Sequence, residues 1–151
     1  MDTLRLGIVG NGFVGSAVSN GFDINTEQFI VDPKFNNNTI EELIEYNPKL
    51  IFVCLPTPPQ DSHYDVDVHI VDGALKELDS HNYKGVVVVK STITPDHLTR
   101  FKKNYNLSIV YNPEFLTEAN AFQDFLKPSM QILGGKWKDC ENVEKAYVKH
   151  S

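Results

Sequence analysis

Three glycines stand at a spacing that suits phosphate chemistry: Gly10, Gly12 and Gly15 lie in the stretch LGIVGNGFVGSAV. A strand-like apolar run precedes them and an apolar helical pattern follows. Glycine allows positive φ and leaves no Cβ in the way of a close approach, and a helix start offers free N–H groups. The spacing therefore predicts a loop that binds a phosphate or pyrophosphate, although ordinary turns also contain such glycines.

A carboxylate follows this loop at the position where a dinucleotide site needs one. Asp32 ends the apolar run FIVD, 22 residues beyond Gly10. A carboxylate there accepts hydrogen bonds from the adenosine ribose hydroxyls and repels a 2′-phosphate, so it favours NAD over NADP. The nearby Lys34 works against that preference, and the other interpretation of Asp32 is an acidic residue that begins a turn before Pro33.

Composition restricts the classes of partner. The chain has 151 residues, 41% of them hydrophobic and 23% charged, which indicates one globular domain with a substantial core. Its 14 Lys and Arg against 20 Asp and Glu give a net charge of −6, so we expect neither nucleic acid nor an anionic membrane as partner. No membrane span or signal peptide is predicted, and the expected location is the cytoplasm.

Cysteines and histidines predict no metal centre. Cys54 and Cys140 form neither a disulfide framework nor a zinc quartet, and the five histidines lack metal-ligand spacing. Cys54 lies inside the apolar run LIFVCL and is interpreted as a small buried residue, whereas Cys140 begins a charged helix.

The elements that must position these residues alternate along the chain. Apolar runs predict strands at Leu4–Val9, Phe29–Val31, Leu50–Leu55, Val86–Val89, Ile109–Tyr111 and Gln131–Leu133. Periodic stretches predict helices at Phe13–Gly21, Thr39–Tyr46, Val68–Leu78, Pro95–Tyr105 and Glu141–His150. Thr39 with Glu42 predicts a capping box, and Thr94 before Pro95 predicts a helix start. We expect a single-domain α/β fold, a Rossmann-like, doubly wound, mostly parallel sheet with helices on both faces.

Ligands bind beyond the carboxyl ends of the strands in such a sheet, so the residues after each strand carry most information. In order they are the glycine loop, Asp32, PTP at 56–58, KST at 90–92 and NPEFLTEA at 112–119. With KPSMQILGG at 127–135, this set resembles the N-terminal NAD-binding domain of the UDP-glucose/GDP-mannose dehydrogenase family over nearly the whole chain. Members of that family oxidise the 6-hydroxyl of a nucleotide sugar to a carboxylate in two hydride transfers.

The resemblance implies a role for individual residues. It assigns NAD contacts to Gly10, Asn11, Gly12, Phe13, Val14, Gly15, Asp32, Lys34, Pro56, Thr57, Ser91, Thr92 and Glu118. It assigns the sugar site to Glu114, Phe115, Leu116, Thr117 and Glu118. Thr92 and Glu114 are the implied catalytic residues: Thr92 helps to hold a water at the nicotinamide, and Glu114 acts as general base or polarises that water. Otherwise, Ser91 and Thr92 could cap the next helix, and Glu114 could begin a helix near Pro113.

Several features depart from the family pattern. Between Asp32 and LIFVCL the chain is short, so a strand and a helix of the cofactor half are expected to be missing. Ala119 replaces a glycine, STITPDH lacks one, and Met130 stands where an arginine is usual. The family's nucleophilic cysteine has no counterpart, since neither Cys54 nor Cys140 has suitable surroundings.

The prediction is therefore an NAD-binding domain over residues 1–151 without the central helix and the sugar-binding domain. Its expected partners are a nucleotide sugar, in the complete enzyme, and either a second copy of the chain or a separate C-terminal half. Two alternatives stay open: a non-catalytic dinucleotide-binding module and an NAD domain of the β-hydroxyacid dehydrogenase type.

Overall fold

A computed structural model of the chain describes residues 2–60, 65–116, 118–128 and 131–151. The strands are β1 (Leu4–Val9), β2 (Thr26–Val31), β3 (Leu50–Val53), β4 (Val86–Val89) and β5 (Ser108–Tyr111). The helices are α1 (Phe13–Gly21), α2 (Ile40–Tyr46), α3 (His69–Ser80), α4 (Pro95–Asn104), α5 (Ala121–Leu126) and α6 (Trp137–His150), with a 3₁₀ helix at Glu118–Asn120 before α5.

Within the described ranges the five strands form one parallel sheet in the order β2-β1-β3-β4-β5. The chain crosses from β1 to the outer strand β2, returns to β3 on the other side of β1, and then continues outward. The order reverses between β1 and β3, and that reversal opens a crevice at the carboxyl ends of the strands. The predicted fold class is confirmed.

Helices cover both faces of the sheet, which explains why β3 and β4 are apolar without alternation. All residues of both strands are buried. One face packs on α2, α3 and α4 through residues such as Leu43, Leu75 and Phe101. The opposite face packs on α1, α5 and α6, where the ring of Phe22 contacts the rings of Phe52, Phe125 and Tyr147. The sheet is therefore a rigid support for the loops at its carboxyl edge.

Two helices begin at the predicted caps. Thr39 Oγ1 accepts the Glu42 N–H at 3.1 Å, and the Glu42 carboxylate accepts the Thr39 N–H at 3.0 Å, which completes the capping box of α2. At α4, Thr94 Oγ1 accepts the His97 N–H at 3.2 Å while His97 Nδ1 accepts the Thr94 N–H at 3.1 Å. Because Thr94 caps α4, the alternative cap role of Ser91 and Thr92 is wrong.

The last predicted strand, Gln131–Leu133, is wrong. The next residue, Gly134, makes an isolated antiparallel bridge instead, in which Tyr111 and Gly134 exchange N–H···O bonds of 2.7 and 2.8 Å. The Ile132 carbonyl accepts from the Asn112 side chain instead of from a neighbouring strand, so no ladder continues. No sequence pattern indicated α5, the predicted start of α6 was Glu141 instead of Trp137, and the predicted start of β2 was three residues late.

The short connection after Asp32 leaves β2 at the edge of the sheet, because α2 alone lies between β2 and β3. The Val31 carbonyl accepts the Gly10 N–H and therefore points towards β1. Because successive carbonyls along a strand point in opposite directions, the Ile30 carbonyl points outward from the sheet edge. The side-chain amides of Asn36 and Asn38 both donate to that oxygen at 2.9 Å. Two residues of the polar stretch NNN at 36–38 thus occupy one carbonyl on the strand edge where another strand would pair.

Candidate functional site: a dinucleotide crevice at the carboxyl edge of the sheet

The glycine loop joins β1 to α1, and its three glycines meet different surroundings. Gly10 has φ +98°, and a Cβ there would lie 2.5 Å from the Cys54 carbonyl oxygen. A Cβ on Gly15 would lie 1.9 Å from the Gly10 oxygen, so the start of α1 packs on the loop backbone. A Cβ on Gly12 would meet nothing within 4 Å. Gly10 and Gly15 are therefore required by the fold, whereas Gly12 borders open space.

The amino end of α1 is open towards that space. Gly12 is the N-cap residue, it provides no side-chain cap hydrogen bond, and the first turn holds no acidic side chain. A helix start of this kind combines unsatisfied N–H groups with the positive end of the helix dipole. The exposed position of Gly12, with Asn11, Phe13 and Val14 around it, therefore suits an anionic ligand.

Asp32 lies directly beside the glycine loop. Its Oδ2 accepts the Asn11 N–H at 2.7 Å, and its Oδ1 accepts the Lys34 N–H at 2.9 Å. These two bonds orient a half-buried carboxylate at the end of β2, while Lys34 itself is exposed. A carboxylate has about four acceptor positions, so acceptor capacity remains for ligand hydroxyls. The structure thus brings together the two parts of the predicted cofactor site.

The segments after β3 and β4 are tied to each other. The buried Ser91 hydroxyl donates to the Leu55 carbonyl at 2.7 Å, so its side chain fixes the start of the loop that contains Pro56 and Thr57. Thr57 is half-buried, and Thr92, the next residue after Ser91, is exposed. The crevice is therefore bordered by a backbone segment that the Ser91 hydroxyl fixes and by the accessible hydroxyl of Thr92.

Glu114 lines a cavity of about 130 Å³ beyond β4 and β5. Its Oε2 accepts the Leu116 N–H at 2.6 Å, which fixes the carboxylate against its own segment. The cavity is lined by Lys90, Pro113, Glu114, Phe115, Leu116, Asp124, Phe125, Lys127, Pro128 and Gln131. Residues 112–116 are not helical, so the alternative in which Glu114 begins a helix is wrong. Thr117 lies outside the described residues, and Glu118 begins the 3₁₀ helix.

A buried polar group that the sequence analysis did not single out forms one end of this cavity. Lys90 Nζ donates to the Asn112 side-chain oxygen at 3.0 Å, to the Asn112 carbonyl at 3.4 Å and to the Tyr147 hydroxyl at 3.3 Å. The Tyr147 hydroxyl donates to the same Asn112 side-chain oxygen at 2.5 Å. We call Lys90, Asn112 and Tyr147 the Lys90 cluster. Burial lowers the pKa of Lys90 to about 8, and the charge of Glu114 partly offsets this effect.

Both cysteines are free thiols with raised pKa values. Although part of Cys54 remains accessible, burial raises the pKa of its thiol to about 12. Burial and the charge of Asp139 raise the pKa of the Cys140 thiol as well. A thiol must ionise before it acts as a nucleophile, so these environments agree with the expectation that neither cysteine serves as one.

Residues 27–150 match the model of the UDP-glucose/GDP-mannose dehydrogenase family, NAD binding domain. The chain belongs to this family. The match confirms the resemblance predicted from the segments that follow the strands, and neither alternative, a non-catalytic module or a β-hydroxyacid dehydrogenase domain, is favoured. The glycine loop precedes the matched range, so its assignment rests on its own spacing and geometry.

Curated relatives include two bacterial UDP-glucose 6-dehydrogenases. The Rickettsia felis protein is 32% identical over 116 residues, which cover 73% of this chain and 25% of that protein. The Campylobacter jejuni protein is 28% identical over 179 aligned positions, which cover 97% of this chain and 46% of that protein. The UDP-N-acetyl-mannosamine dehydrogenase of S. aureus has a similar fold, with a TM-score of 0.75 at 20% identity over 97% of this chain and 44% of its own. The chain thus spans less than half the length of each of these relatives.

The Lys90 cluster is the part of the site that sequence reasoning missed. Lys90 and Asn112 are each the first residue after a strand, so the rule that pointed to Ser91 and Glu114 also pointed to them. Tyr147 lies within α6, far along the chain, and no local signal links it to the sheet edge.

In the part of the chain that the structure describes, no helix is long and apolar enough to cross a membrane.

Proposed function

We propose that this member of the family binds NAD(H) across the carboxyl ends of the central strands, as the cofactor-binding part of a nucleotide-sugar 6-dehydrogenase. One observation carries the proposal: the open backbone at Gly12 and the Asp32 carboxylate are adjacent, joined by the hydrogen bond from Asn11. A pyrophosphate and an adenosine ribose need these two features side by side.

The residues present fit this cofactor. The space at Gly12 and the uncapped start of α1 would hold the pyrophosphate through backbone N–H groups. Asp32 would accept from the ribose hydroxyls with the acceptor positions that Asn11 and Lys34 leave. The other proposed cofactor contacts are Gly10, Phe13, Val14, Gly15, Pro56, Thr57, Ser91, Thr92 and Glu118.

NAD, when bound, supplies the hydride acceptor for oxidation of an alcohol. Where the hydride is transferred, the residues of this chain would orient the substrate and a water molecule and would hold protons. The exposed Thr92 hydroxyl would help to hold a water, and Glu114 would accept its proton or polarise it. The segment 114–118 would contact the sugar.

The activity proposed for the whole protein is oxidation of a nucleotide sugar's 6-hydroxyl to a carboxylate. Formation of the carboxylate through a covalent intermediate needs a thiolate, and the burial that raises the pKa of Cys54 makes it unsuitable. We therefore propose that the nucleophile comes from outside this chain.

The test is calorimetric titration of the purified chain with NADH and with NADPH. We expect NADH to bind at least roughly tenfold more tightly, because the Asp32 carboxylate repels a 2′-phosphate. Asp32→Ala should weaken NADH binding and remove the preference. Asp23→Ala, which removes a carboxylate from the exposed residue Asp23 between α1 and β2, should leave both affinities unchanged. Equal or tighter binding of NADPH by the wild-type chain would contradict the proposal.

A further inference from the structure

The Lys90 cluster places a charged group where hydrophobic packing would be expected. Lys90 retains 4% of its accessible surface and Asn112 retains none. Three acceptors surround Nζ, and they are neutral: two oxygens of Asn112 and the hydroxyl of Tyr147. A buried cation with neutral partners is a weak source of stability, because its desolvation opposes the hydrogen bonds it gains. The cluster therefore calls for another explanation.

The hydrogen bonds of Asn112 show which segments the Lys90 cluster keeps in place. The Asn112 side-chain N–H groups donate to Gln131 Oε1 at 2.8 Å and to the Ile132 carbonyl at 2.9 Å. Asn112 precedes Pro113 and Glu114, which form one wall of the Glu114 cavity, and Gln131 belongs to another wall. Through Asn112, one ammonium group is thus connected to two separate walls of the cavity.

Helix α6 takes part in the same arrangement. The Tyr147 hydroxyl donates to Asn112 and accepts from Lys90, and its ring packs on Phe22, Phe52 and Phe125. The ring is therefore held by the core, and the hydroxyl is a fixed third point for the cluster. This fixes the position of Asn112 relative to both the sheet and α6.

We propose that Lys90 is a positioning residue for the Glu114 carboxylate, acting through Asn112 on the segment that leads to Glu114. The proposal rests on the proposed function, because that function assigns Glu114 to the sugar site. Lys90 does not need to touch a substrate for this role. It sets where Pro113 and Glu114 leave β5, and Asn112 carries the same constraint to Gln131.

The positioning of Asn112 by Lys90 depends on the charge of the Lys90 ammonium group. The ionisable groups that face it are Cys54 at the end of β3, Glu114 in its own segment and Tyr147 on α6, while Asp124 and Lys127 line the cavity from α5 and its end. Burial raises the pKa of Tyr147 far above the neutral range, so its hydroxyl remains a donor when Lys90 titrates. Because the pKa of Lys90 is about 8, mildly alkaline solution removes its charge and one N–H donor.

The Leu116 amide is a direct reporter, because it donates to Glu114 Oε2 at 2.6 Å. The experiment follows this amide by NMR and hydrogen exchange in the ligand-free chain, for wild type and for Lys90→Met, whose unbranched side chain is one atom shorter and cannot donate. We expect Leu116 exchange to rise at least roughly tenfold in Lys90→Met, as its bond to the charged acceptor is lost. Tyr83→Phe is the control, because the Tyr83 hydroxyl is also buried and donates to the Pro48 carbonyl at the opposite edge of the sheet. It should leave Leu116 unchanged.

A pH titration of the wild-type chain separates positioning from general stabilisation. The Lys90 Cε signal and the Leu116 amide signal should change with the same midpoint, near pH 8. Unchanged Leu116 exchange in a folded Lys90→Met, or a Leu116 signal that ignores the Lys90 titration, would overturn the proposal. If Lys90→Met does not fold, the wild-type titration decides alone. Because no cofactor is present, failure of NADH to bind would refute the proposed function without changing this result.

Discussion

Replacing Gly12 by alanine separates binding from folding more sharply than any other single change in the glycine loop. The Cβ would meet no atom of the chain within 4 Å, and the backbone at Gly12 (φ −73°, ψ −159°) is open to any residue. The same Cβ would project into the space where we place the pyrophosphate. We therefore expect the variant to fold and to lose affinity for NADH.

The magnitudes follow from the surroundings of each glycine. Alanine is a poorer N-cap than glycine, which predicts a loss of at most about 1 kcal/mol in the free energy of unfolding of Gly12→Ala. Displacing the pyrophosphate by one carbon removes at least one charge-assisted backbone hydrogen bond, about 1.5 kcal/mol or more, so affinity should fall at least roughly tenfold. Gly12→Val should bind still more weakly.

Two other glycines provide matched controls. Gly73 lies on the exposed side of α3 with nothing within 4 Å of its Cβ position, so Gly73→Ala should raise stability by about 0.5–1 kcal/mol and leave NADH affinity unchanged. Gly15→Ala would force a Cβ to 1.9 Å from the Gly10 oxygen, and overpacking against backbone should lower stability by more than about 2 kcal/mol.

The assay combines urea unfolding with calorimetric titration of NADH for wild type and the three alanine variants. Folded Gly12→Ala that binds NADH like wild type would show that the loop is only a turn. Gly12→Ala that loses as much stability as Gly15→Ala would show that the space at Gly12 is not open.

Two further predictions concern the charged and catalytic groups. Burial lowers the pKa of Lys90 from 10.5 to about 8, so the unfolded chain binds more protons between these values, and wild-type stability relative to Lys90→Met should rise by about 1.4 kcal/mol from pH 7 to pH 9 in urea unfolding. A difference that does not change with pH would refute the assignment. The chain alone, mixed with NAD and UDP-glucose, should form no sustained NADH absorbance; sustained formation that is lost in Glu114→Gln would show that an outside nucleophile is not needed.

The sequence predicted the central part of the fold because burial and local signals agree there. β1 and α1 have the predicted bounds, since an apolar strand, a glycine loop and an amphipathic helix follow one another without ambiguity. The capping box of α2 was predicted because it depends on two residues three positions apart, and the start of α4 was predicted from Thr94 before Pro95, although the partner His97 in its capping box was not. Asp32 was found for a similar reason, as a fixed spacing connects it to the loop.

The mispredicted elements are those whose structure is determined by contacts between residues far apart in the sequence. Helix α5 has six residues, and its Phe125 packs where Gly21 leaves room, with the Cβ position of Gly21 only 2.0 Å from the ring. Such a short helix depends on that contact and not on its own propensity. Gln131–Leu133 is apolar enough for a strand, but the Asn112 side chain takes the Ile132 carbonyl. Tyr147 accepts a hydrogen bond from Lys90 although 57 positions of sequence separate them, and no local pattern indicates this contact.

The asparagines beside β2 bear on how the protein behaves in concentrated solution. An edge strand with unpaired carbonyl and N–H groups is a template on which a second molecule can add a strand, and this is a common start of aggregation. Asn36 and Asn38 occupy the outward Ile30 carbonyl, and Arg5 pairs with Glu27 at 3.3 Å near the start of the strand. The shortened connection after Asp32 thus places polar side chains against part of the exposed edge of β2, which hinders the addition of a strand from a second molecule.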